Sequence, residues 1–143
     1  MASVTGCGQN TPITIADQVT LASTVCQANM VQILVGDGYM EAACGCTGTN
    51  ESKGTLYSGS TPLICHLPSS STQVYFYYIG STLQHQIISV GANTFPSSAL
   101  SVPGDNPLAR LQVHVVPFYS TQSGLTFQFQ DAFNGLAGQL VVP

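Results

Sequence analysis

Two thiols flank a single glycine at Cys44-Gly45-Cys46, and a thiol adjoins an imidazole at Cys65-His66. Thiolate and imidazole are the donors that hold zinc, and thiols in pairs are what disulfides are made from. Zinc knuckles favour two residues between their cysteines, and the single glycine here is a poor match. No iron–sulfur spacing is present. All five cysteines (Cys7, Cys26, Cys44, Cys46, Cys65) fall in the first 65 residues. That density fits a disulfide framework with one cysteine left over. On an extended segment Cys44 and Cys46 would share a face. The connectivity stays open, and free thiols or a metal site are the alternatives.

Acid–base chemistry has fewer candidates. A triad can be assembled from His114, Asp105 or Asp131, and a serine, but no Gly-x-Ser-x-Gly elbow supplies the nucleophile. The six acidic residues are scattered singly, which disfavours a paired-carboxylate site. His66, His85 and His114 are therefore expected as polar surface or interface groups. Gly36-Asp37-Gly38 and Pro103-Gly104-Asp105-Asn106-Pro107 look like pieces of calcium loops but lack the carboxylates of a hard-cation cage, so turn chemistry explains both. Arg110 is expected in one ion pair, with Asp105, Asp17 or Asp131 as partner. The expectation is no catalytic residue, no metal, no cofactor and no enzymatic activity.

Composition narrows the class further. Lys and Arg number 2 and Asp and Glu 6, so charged residues make up 6% of the 143, against about 25% in ordinary domains. Hydroxyls and amides replace them. Such a surface can meet other protein without desolvating ions, which is costly unless each ion finds a partner. Two cations cannot neutralise the several phosphates on which nucleic-acid affinity rests, nor form the basic cluster that anionic membranes attract. No apolar run approaches the roughly 18 residues of a membrane-spanning helix. Met1–Gly6 lacks the basic and apolar regions of a secretory leader. Together with the cysteines, this leaves a secreted chain read without its leader, or a virion protein made in a cytosol and working outside it.

The elements that must position these residues are strands. From Ile13 to Val35 apolar residues recur at odd positions, the period of a half-buried strand. Strands are expected near 12–15, 18–26, 30–35, 39–44, 55–58, 62–66, 73–79, 82–90, 108–118, 125–130 and 139–142, with a short one at 99–102. Gly36-Asp37-Gly38 should close a hairpin. Residues 47–54 and 91–107 should be loops, and a short helix could form at 131–137. The pattern predicts a single all-β domain over 1–143, an antiparallel β-sandwich with the jelly roll as one form, and an extended arm at 1–11. Segments 19–26, 74–79 and 111–118 have few gatekeeping charges, so a neighbouring subunit is an economical cover for their edges. Tyr75, Phe76, Tyr77, Tyr78, Phe118 and Phe127 are the candidate oligomer interface.

In size, all-β pattern, scarcity of charge, Ser/Thr/Gly-rich loops and cytosolic-type start, the chain resembles the small decoration (cement) proteins of tailed phages. The resemblance covers overall character and rests on no motif, so it assigns no residue a role. It implies a homotrimer on the capsid exterior that reinforces the shell against the major capsid protein, with host-surface glycan as a further contact. The alternatives are an extracellular pilus or fibre subunit that donates the strand at 11–25, and a glycan- or receptor-binding module.

Overall fold

Two β-sheets pack face to face in the computed structural model, which describes residues 27–50, 57–78, 83–97 and 112–143. The strands are β1 (Met30–Gly36), β2 (Tyr39–Cys44), β3 (Gly48–Thr49), β4 (Leu63–His66), β5 (Gln73–Tyr78), β6 (Ile87–Val90), β7 (Gln112–Pro117), β8 (Thr126–Asp131) and β9 (Ala137–Val141). One sheet runs β2-β1-β5-β7 and the other β3-β4-β9-β8-β6. The sandwich is as expected. Its sheets are mixed rather than antiparallel throughout, because β1 pairs with β5 and β4 with β9 in parallel. Parallel neighbours need long connections, which periodicity along the chain does not reveal.

The β1–β2 hairpin follows from local chemistry. Gly36 pairs with Tyr39 across an Asp37-Gly38 turn, and Gly38 takes the positive φ of 75° that glycine tolerates. The Tyr39 ring lies over Gly36, in the space that a Cβ there would need. β1 itself is buried on both faces. Val31, Ile33 and Val35 point between the sheets, while Leu34 packs with Tyr77, Ala43, Tyr75 and Val113 on the outer face. Alternation predicted only one buried face; β1 has strands on both sides and a parallel partner, the setting in which strands bury both faces.

Aromatic rings fill the space between the sheets. Phe76 meets Phe129 edge-on at 5.0 Å, Phe118 meets Phe127 likewise at 5.0 Å, and Phe95 lies against Phe76, Phe118 and Phe129. This corrects the proposed oligomer interface. Phe76, Phe118, Phe127 and Tyr78 belong to the core, Tyr77 is buried in the outer cluster, and only Tyr75 of the six is half-exposed. The alternation of Tyr75/Tyr77 with Phe76/Tyr78 is real, but the chain's own packing uses both faces.

Other elements differ in detail. The strand expected at 82–90 begins only at Ile87, and in place of the helix expected at 131–137 a turn joins β8 to β9. Residues 57–58 are not strand, whereas Gly48–Thr49 within the expected 47–54 loop pairs briefly with β4. The strands expected at 12–15, 18–26 and 99–102, the arm at 1–11, and Arg110 lie outside the described residues.

Candidate functional site

One end of the sandwich holds a buried ionic cluster built from three strand ends. Asp131 closes β8, Asp37 sits in the β1–β2 turn, and His85 lies two residues before β6. Residues 83–86 lie outside the strand ladder, and His85 is buried in step with Ile87. His85 Nδ1 is 2.5 Å from Asp131 Oδ2, and its Nε2 is 2.7 Å from Asp37 Oδ1. His85 and Asp131 are fully buried, whereas the Asp37 side chain is 31% exposed. The Tyr78 ring stacks nearly parallel on the imidazole, and the Tyr78 hydroxyl accepts a hydrogen bond from the Ile87 N–H.

Hydrogen bonds with the neighbouring backbone tie the cluster into the strand ends. Asp131 Oδ1 accepts the Phe133 N–H, the Asp131 N–H donates to Leu136, and the Ala132 N–H donates to Gln86. Burial alone would push the His85 pKa down. Hydrogen bonds to Asp131 and Asp37, and the charges of both, outweigh it and raise the pKa above the ordinary histidine value. Only the imidazolium can donate to both carboxylates at once. Burial likewise raises the Tyr39 hydroxyl, helped by the negative charges of Glu41 and Asp37.

Near the other end, Cys46 and Cys65 form a disulfide with Cα atoms 5.3 Å apart. Cys46 lies in the connection from β2 to β3 and Cys65 lies in β4, so the bridge fastens the crossover between the sheets to β4. Cys44 is disulfide-bonded as well, and its Sγ lies 3.4 Å from Gln32 Oε1. The expectation that Cys44 and Cys46 share a face of an extended segment is corrected. Gly45 has a φ of +96°, and the Met30 carbonyl oxygen fills the place a Cβ would take, so the chain swivels between the two sulfurs. Cys7 and Cys26 lie outside the described residues.

The remaining sequence candidates separate. Asp131 faces His85, not His114, so the triad drawn on paper does not assemble around it. His114 stacks on Phe76 and its Nε2 lies 3.0 Å from the Pro96 carbonyl. His66 is exposed, as expected, whereas His85 is buried, contrary to the surface role expected for it. Asp37 and Gly38 form the turn expected of Gly36-Asp37-Gly38, and the Asp37 carboxylate meets His85. Sequence reasoning missed the cluster because its members are 46 and 48 residues apart. The available signal was three ionisable residues, each at a strand end, in a chain with few charges.

No family model and no curated protein matches the chain. Solved structures do match. Rusticyanin from Thiobacillus ferrooxidans aligns with a TM-score of 0.53 at 9% identity, over 90% of this chain and 92% of that one. Reduced auracyanin from Roseiflexus castenholzii gives a TM-score of 0.48 at 12% identity, over 81% and 98%. A Cu(I) amicyanin mutant gives 0.47 at 9% identity, over 94% of each chain. The rusticyanin match supports the fold class, an all-β sandwich, for which the matching structures are cupredoxin-like Greek-key proteins.

That fold raises copper as a group to test. A blue-copper centre takes two imidazoles, a cysteine thiolate and a weak axial methionine. The described donors do not fit. Cys44, Cys46 and Cys65 are oxidised, and both nitrogens of His85 are committed to carboxylates. Among the described residues no three His, Cys, Asp or Glu side chains are grouped to hold a metal. The described residues therefore do not supply a blue-copper ligand set.

Proposed function

We propose that this chain is a structural and interaction module of an extracellular or virion surface, acting through protein–protein contact rather than catalysis or electron transfer. Its specific form is an oligomeric decoration protein, a homotrimer that reinforces the outside of an icosahedral capsid against the major capsid protein. Nucleic acid and membrane are not among its partners, and host-surface glycan is a further candidate contact.

The observation that carries the reading is how the chain spends its few charges. Asp131 and His85 are fully buried and Asp37 is turned inward to meet His85, so a surface already poor in ions loses more of them. What remains outside includes Tyr39, Leu83, Val115, Tyr119, Leu125 and Phe133 among neutral polar residues. Apolar and aromatic groups without charge characterise the cores of protein interfaces. Disulfides suit a protein that works where thiols are not kept reduced. In the decoration role, each subunit adds interface that must be broken before the shell opens, so bound subunits favour the closed shell by mass action.

Light scattering coupled to size exclusion tests the reading on the full chain. A discrete oligomer, with a trimer expected, supports it. Open filaments would point to strand donation instead, and a monomer that sediments alone with every capsid offered would refute it.

A further inference from the structure

We propose that His85 is a proton-operated latch between the two sheets, and that losing its proton releases the β1–β2 turn while leaving the end of β8 in place. His85 ties Asp37, in the turn of one sheet, to Asp131, at the end of a strand of the other. Of the described charged and titratable groups, Asp131 and Asp37 face the ring edge and Tyr78 of β5 faces its plane. Tyr39 and Glu41 of β2 lie on the Asp37 side, close enough for Asp37 and Glu41 to act on the Tyr39 hydroxyl.

The imidazolium donates one N–H to each carboxylate. Neutral imidazole has a single N–H, so one carboxylate must then face a ring lone pair. The two acids are not equivalent. Asp131 is fully buried and further held by the Phe133 N–H, so it cannot gain water in exchange. Asp37 is about a third exposed and can rehydrate. The remaining proton therefore stays on Nδ1 against Asp131, and Nε2 turns a lone pair toward Asp37 Oδ1 across 2.7 Å. That contact is repulsive, and Asp37 swings out with its turn.

The direction in pH follows from linkage. Because the folded His85 pKa is raised, the latch is closed below the ordinary histidine range. It opens as pH rises through the elevated folded value. Conditions below the raised value fix the turn; conditions above it free it.

Imidazole ¹⁵N NMR and amide hydrogen exchange on the full chain, from about pH 6 to about pH 10, test this. Both His85 nitrogens should carry protons at the acid end and only Nδ1 at the alkaline end. Across the transition, protection of the amides at 36–40 should fall about tenfold or more relative to unfolded-chain rates, while 131–136 stay within about twofold. His85→Gln tests the latch by removing it, and Asp37→Asn keeps the test open should that variant fail to fold. The amide that replaces the Asp37 carboxylate can pair with neutral imidazole, so the pH dependence at 36–40 should disappear and the His85 midpoint should drop. An Nε2–H tautomer at high pH, equal loosening at both ends, or an unchanged profile in Asp37→Asn would each overturn the proposal.

Discussion

Cutting the Cys46–Cys65 bridge by Cys46→Ala with Cys65→Ala removes a cross-link that closes a segment of sequence separation 19. In the chain-entropy account, a loop of that length restricts the unfolded ensemble by about 3 kcal/mol at 25 °C. Cys65 is fully buried, so deleting its sulfur also leaves a small void, adding about 1 kcal/mol. The expected loss is therefore about 4 kcal/mol, a large part of a typical domain's margin of roughly 5–15 kcal/mol. The unfolding entropy of a chain of 143 residues turns each kcal/mol into about 3 °C, so the melting temperature should fall by about 10–15 °C. Urea unfolding followed by circular dichroism reads the same quantity, and the slope m should rise because the unfolded variant exposes more surface. Both cysteines must go together, since a single substitution leaves a buried thiol free to mispair. A loss below about 1 kcal/mol with unchanged m would refute the view that this bridge restrains the crossover against β4.

Three further outcomes are expected. Gly45→Ala should cost roughly 2–3 kcal/mol in thermal unfolding, because its positive φ strains an L-residue and the Met30 carbonyl occupies the Cβ position; a change under about 0.5 kcal/mol would contradict the swivel. Phe76→Ala, in the middle of the ring cluster, should cost about 3–5 kcal/mol, whereas Tyr119→Ala, at 59% exposure, should stay within about 0.5 kcal/mol. Cu(II) added to the oxidised protein should give no intense thiolate–copper absorption and no gain in melting temperature; either one would overturn the donor analysis.

How far the fold was legible depended on the range of each signal. The β1–β2 hairpin could be read because alternation and Asp37-Gly38 lie within fifteen consecutive residues. Phe127 and Phe129 alternating with Gln128 and Gln130 gave β8 its inner face directly. The parallel β1–β5 and β4–β9 pairings left no local mark, and neither did the Cys46–Cys65 pairing. Strand ends were harder still. Residues 83–86 alternate like the strand after them, yet pairing with β8 covers only Ile87–Val90. Asp131 was visible only as a lone acid, and its partner could be found only once β6 and β8 were paired.

The last strand in the order, β9, occupies the middle of its sheet, with β4 on one side and β8 on the other. Until Ala137–Val141 is in place, β3–β4 and β6–β8 are separate ribbons with open inner edges. Closing this sheet is therefore a single long-range event: the 30–44 hairpin can form from neighbouring residues, whereas the two half-sheets join only when the one segment that bonds to both is inserted between them.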